Sequence, residues 1–97
     1  MKIRRKAVGL TIAAIMAITA TVQAAAATAT YTFETVGDVY GITTTCTDFS
    51  NYVTAYAKVE NNGAYTQTNS RGYQNAATTA RRTCTSGTVT RTGWYTT

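Results

Sequence analysis

Between residues 52 and 60 the chain reads "YVTAYAKVE", with Val53, Ala55, Ala57 and Val59 in one register and Tyr52, Tyr56 and Lys58 in the other. A period of two marks a strand with one buried side. The stretch "YGITTTCTDF" (40 to 49) alternates in the same way and places Tyr40, Ile42 and Cys46 on one face. Next comes "ENNGAY", whose Asn62-Gly63 dipeptide suits a two-residue type I′ turn, because both of its central positions need positive φ. That turn predicts a hairpin pairing Glu60 with Tyr65 and Lys58 with Gln67. Its tyrosines, Tyr52, Tyr56 and Tyr65, with Tyr73 beyond, form a candidate exposed strip.

The C-terminal stretch "RRTCTSGTVTRTGWYTT" suggests a second hairpin, with Ser86-Gly87 turning residues 75–85 back on residues 88–97. A two-residue loop sets Cys84 opposite Val89, Arg82 opposite Arg91 and Thr78 opposite Tyr95. Facing arginines repel. A bulge at Gly87 relieves this by placing Cys84, Arg82 and Ala80 beside Thr90, Thr92 and Trp94, and Gly87 suits the left-handed position of such a bulge.

The N-terminus has a different pattern. Lys2, Arg4, Arg5 and Lys6 precede the apolar run "AVGLTIAAIMAI", and small residues follow at Val22-Gln23-Ala24 and Ala25-Ala26-Ala27. These are the n-region, h-region and cleavage site of an export signal, so residues 1–27 are expected to form a helical signal peptide cut after Ala24 or Ala27. Residues 28–97 are then a single secreted, extracellular domain with no stable membrane insertion after cleavage. Thr, Gln and Ala after Ile18 make a poor spanning helix.

Removing the leader changes the charge. Of nine basic residues four leave with it, and the remaining five meet four carboxylates for a net +1. A nucleic-acid binder concentrates many cations on one face; five dispersed ones argue against nucleic acid as a partner. The domain is rich in threonine, holds all seven tyrosines, and has no proline or histidine. Thr, Tyr and Val favour strands, so the fold class expected is all-β, a small antiparallel β-sandwich. A domain this small buries only about 60% of the surface its unfolded chain exposes. The cysteine pair offers support: an exported chain oxidises, and a Cys46–Cys84 disulfide closing 38 positions would stabilise by about 4 kcal/mol.

Catalytic chemistry finds little to work with. Without histidine the commonest general base is missing, and Glu34 and Asp38, the closest carboxylate pair, lie near the expected new N-terminus. Two cysteines alone make a poor zinc site, and there is no Gly-rich phosphate loop. The expectation is a non-enzymatic protein with no cofactor and no metal, which binds through an aromatic and cationic surface drawn from Tyr52, Tyr56, Arg82, Arg91, Trp94 and Tyr95. Arginine forks suit phosphates or carboxylates, and aromatic rings stack on sugars. A lone tryptophan in a small β domain is also a natural core anchor, so both roles stay open for Trp94.

The motifs "SNY" (50 to 52) and "AKVENN" (57 to 62), with a threonine-rich end closing on Trp94-Tyr95, resemble the lactococcin 972 family of small secreted β-sandwich bacteriocins over Ser50 to Thr97. The resemblance implies an antibacterial that acts at the cell envelope of related Gram-positive bacteria by interfering with wall synthesis. The chain departs from that pattern in having two cysteines and no histidine. An inhibitor of a secreted enzyme and a glycan- or surface-binding module remain alternatives, with a cell-envelope component or a secreted protein as target. A homodimer is compatible with each.

Overall fold

The computed structural model describes residues 27–97 in full, together with the backbone of residues 10–12 and 19–24. The described residues are all-β and antiparallel: β1 (Leu10–Ile12), β2 (Thr19–Ala24), β3 (Ala27–Val36), β4 (Val39–Asn61), β5 (Ala64–Thr83) and β6 (Val89–Thr96). They form one sheet of order β1-β6-β4-β3-β2, with β5 along the other side of β4. The n-region and most of the apolar run of the expected leader lie outside the described residues, so its helical form does too; its described pieces pair as strands, β1 with β6 and β2 with β3.

The long strand β4 organises everything else. Its first half lies between β3 and the end of β5, and its second half between β6 and the start of β5. A straight strand of 23 residues would run about 75 Å, yet the longest dimension of the molecule is 46 Å. Thr83 pairs with Val39 at one end of β4, and Val89 pairs with Asn61 at the other. Six Cα steps, at most about 22 Å, connect Thr83 to Val89, so β4 must fold back. The layering comes from one continuous sheet doubled over on itself.

The fold-back has a local cause. Pairing of β4 with β5 breaks between Thr47 and Tyr52, where residues 48–51 of β4 face only Gln74. Asp48 accepts hydrogen bonds from the Ser50 amide (3.0 Å) and Asn51 Nδ2 (3.2 Å), closing the corner on the β4 side. On the β5 side Gln74 has φ 68°, and its Nε2 donates to the Phe49 carbonyl (2.9 Å). Gly72 is required there, because a Cβ would run into the Asn75 carbonyl. The extra residues also switch the inward positions of β4 from even (Ile42, Thr44, Cys46) to odd (Val53, Ala55, Ala57, Val59). Both halves thereby keep an apolar face inside.

Between the halves lie Tyr31, Phe33, Ile42, Cys46, Val53, Val59 and Tyr95, all buried. Gly93 of β6 meets Tyr31 of β3 and Thr44 of β4, and Thr78 donates to Thr68 across the folded β5 (2.8 Å). The Asn62-Gly63 turn has the expected positive φ angles, 52° and 79°, and the expected pairs Glu60–Tyr65 and Lys58–Gln67.

Two expectations need correction. Cys46 and Cys84 are both buried and not bonded to each other. The register explains why: the Cys84 amide donates to the Asp38 carbonyl (2.8 Å), eight positions along the chain from Cys46. That is roughly 26 Å of strand, against a disulfide limit of about 7 Å between Cα atoms. The second hairpin is also absent, since the end of β5 and β6 pair with opposite halves of β4 and not with each other. Ser86-Gly87 does turn, with φ 80° at Gly87, but into a crossover. Asn61 Nδ2 anchors that crossover by donating to the carbonyls of Ser86 (2.7 Å) and Thr88 (3.1 Å). The Arg82–Arg91 and Cys84–Val89 pairings disappear with the hairpin.

Candidate functional site

The outer face of the β5-β4-β6 half collects the aromatic side chains. On this three-stranded surface, cross-strand neighbours run Tyr65–Glu60–Thr90, Gln67–Lys58–Thr92, Asn69–Tyr56–Trp94 and Arg71–Thr54–Thr96, with Tyr73 beside Tyr52 at the end next to the corner. The inward apolar residues of β4 and β6 here are Val53, Ala55, Ala57, Val59, Val89 and Tyr95, with Arg91 on the same side of β6. Strand alternation therefore leaves no alternative orientation for Tyr52, Tyr56 and Trp94.

Cross-strand contact sets the geometry of these rings. Tyr56 and Trp94 stack with centroids 5.0 Å apart and planes 3° from parallel. Tyr52 and Tyr73 meet edge to face at 5.2 Å and 61°. Two diagonal cation–π contacts complete the surface, Arg71 over Tyr52 at 4.3 Å and Lys58 over Tyr65 at 4.7 Å. Lys58 also lies 3.9 Å from Glu60. Tyr52, Tyr65 and Tyr73 each expose more than half of their surface. The rings stand as ribs on the sheet with cations against their faces, an arrangement able to grip a polymer carrying both sugar rings and anionic groups.

Of the six residues drawn from the sequence, the structure brings three together here: Tyr52, Tyr56 and Trp94. Arg82 belongs to the other half of β5, opposite Tyr40, and its guanidinium donates across the folded strand to Thr66 Oγ1 (3.2 Å). Arg91 and Tyr95 are fully buried, out of reach of any surface ligand. Arg91 Nη1 donates to the Glu34 carbonyl (3.0 Å) and Thr35 Oγ1 (3.2 Å), with the guanidinium near the rings of Phe33 and Tyr40. Desolvation lowers its pKa. Its role is to hold β6 to the β3–β4 turn. Burial raises the Tyr95 hydroxyl pKa and pushes Tyr31 up to about 12, helped in each case by neighbouring ionisable groups. Cys46, desolvated in the same layer, rises to about 11.

The cations of the face are Lys58 and Arg71. Arg71 was legible in principle: continuing the register of the Asn62-Gly63 hairpin sets it opposite Thr54, on the side of Tyr52 and Tyr56. Among the described residues no three His, Cys, Asp or Glu side chains gather as a metal site would require. No family model, curated protein or solved structure matches this chain.

Proposed function

We propose that this is a secreted, non-catalytic binding protein that engages an anionic polymer or precursor of the bacterial cell envelope through the outer face of its β5-β4-β6 half. The observation that carries the reading is the gathering of Tyr52, Tyr56, Tyr65, Tyr73 and Trp94 with Lys58 and Arg71 on one exposed sheet face. The leader-like N-terminus supports export, and the likeness of Ser50–Thr97 to lactococcin 972-type proteins supports an antibacterial role at the envelope.

Co-sedimentation of the protein with isolated Gram-positive cell walls tests this. Tyr56→Ser combined with Trp94→Ser should weaken wall binding by roughly tenfold. Lys58→Gln should reduce the salt dependence of binding. Wall binding identical in parent and both variants would refute the face as the site. Growth inhibition of related bacteria, lost in the same variants, separates an antibacterial from a purely adhesive protein.

A further inference from the structure

The corner where the sheet doubles back carries a second feature. Phe49, at its apex, is 78% exposed, and Tyr52 and Tyr73 beside it are 52% and 57% exposed. We propose that this corner is a membrane-interface anchor: Phe49 enters the acyl boundary of an anionic lipid surface, Tyr52 and Tyr73 lie at headgroup level, and Arg71 meets lipid phosphates. The anchor goes beyond the envelope-binding face: it shares Tyr52, Tyr73 and Arg71 with that face and adds Phe49, which the face does not use.

The exposure of Phe49 is built into the corner. Its carbonyl is held by Gln74, the residue before it caps the turn by accepting from Ser50 and Asn51, and regular pairing resumes at Tyr52–Tyr73. The ring is therefore presented on a braced turn. Large exposed apolar groups clustered on a small protein mark an interaction site. Tyrosines are enriched where one end of a ring is in hydrocarbon and the other in water.

Charge selects the occupant. Arg71 lies over Tyr52, and the ion pairs among the described residues are Lys58–Glu60 and Arg81–Glu34, which leaves the Arg71 guanidinium available for an anion. The nearby carboxylate, Asp48, is buried and already accepts two hydrogen bonds. An apolar tip, a tyrosine pair and one basic fork match an anionic headgroup layer, in which each nearby cation adds a modest attraction that salt screens.

The test is co-flotation of the full chain with vesicles of phosphatidylcholine containing phosphatidylglycerol, and with vesicles of phosphatidylcholine alone. Phe49→Ser should lower partitioning by about tenfold. Arg71→Gln should lower it only on the anionic vesicles. Because Cys46 and Cys84 are buried, Ser50→Cys allows a nitroxide to be placed selectively beside the intact Phe49, with Ala77→Cys as the exposed control on the opposite half. On anionic vesicles the label at position 50 should collide preferentially with lipid-soluble oxygen, and the label at 77 with a water-soluble reagent. Partitioning unchanged in Phe49→Ser, as binding through the N-terminal segment alone would produce, overturns the proposal. A position-50 label that remains in water, or a corner that captures a protein while ignoring vesicles, overturns it as well. Phe49→Ser should leave cell-wall co-sedimentation intact, so failure here is distinguishable from failure of the envelope-binding face.

Discussion

Gly93→Ala is the sharpest probe of the doubled-over sheet. On local grounds the substitution should stabilise the protein, because replacing a strand glycine by alanine reduces the freedom of the unfolded chain by about 0.4–1 kcal/mol. The tertiary contact opposes this. A Cβ at position 93 would lie 2.8 Å from Tyr31 Cε1, and closer still to Tyr31 Cδ1 and Thr44 Oγ1. Tyr31 and Thr44 are fully buried, so neither can swing into solvent to make room. Overpacking of this kind costs about 1–3 kcal/mol. The net expectation is a loss of about 1–2 kcal/mol, or a fall in Tm of about 5–15 °C for a domain of this size. Thermal and urea denaturation measure it directly. Thr44 Oγ1 is buried without a hydrogen-bond partner, so Thr44→Ala is tolerable in itself and should recover part of the loss when combined with Gly93→Ala. A Tm equal to or above that of the parent, with no coupling between positions 44 and 93, would show that β6 does not lie on β3 and β4 and would refute the fold-back.

Two further outcomes follow from the buried layer. Cys46 and Cys84 should be recovered as free thiols, with Tm unaffected by reductant; Cys46, with its pKa raised to about 11, should resist alkylation in the native protein at neutral pH. Peptide mapping that recovers a Cys46–Cys84 crosslink would refute this. The protein should also lose stability in alkali. The folded pKa of Tyr31, about 12, exceeds its unfolded value of 10.0, so the neutral phenol stabilises the fold fully below pH 10 and this contribution is lost as the pH rises toward 12. The loss from this residue is about 2–3 kcal/mol. Denaturation midpoints that stay level from pH 9 to 12 would contradict it.

What the sequence determined by itself was local. The all-β class, the alternation of residues 40–49 and 52–60, and the Asn62-Gly63 hairpin with its register follow from rules that act over two to four residues. Even the corner left a trace, because the apolar positions change from even (Ile42, Cys46) to odd (Val53 to Val59) across residues 48–51, and a strand cannot change faces without extra residues. The tyrosine face was half legible for the same reason: Tyr52, Tyr56, Tyr65 and Tyr73 share one hairpin. Trp94 reached Tyr56 only because β6 crosses to the second half of β4, and no local rule selects that partner over the end of β5. That choice also buried Arg91 and Tyr95, whereas the register of β5 on the first half of β4 separated the cysteines and put Arg82 opposite Tyr40. Ser86-Gly87 forms a turn in either arrangement. The crossover is selected by contacts far apart in sequence: the amide of Asn61 gathering the carbonyls of Ser86 and Thr88, Arg91 reaching the β3–β4 turn, and Gly93 admitting Tyr31 where any side chain would collide.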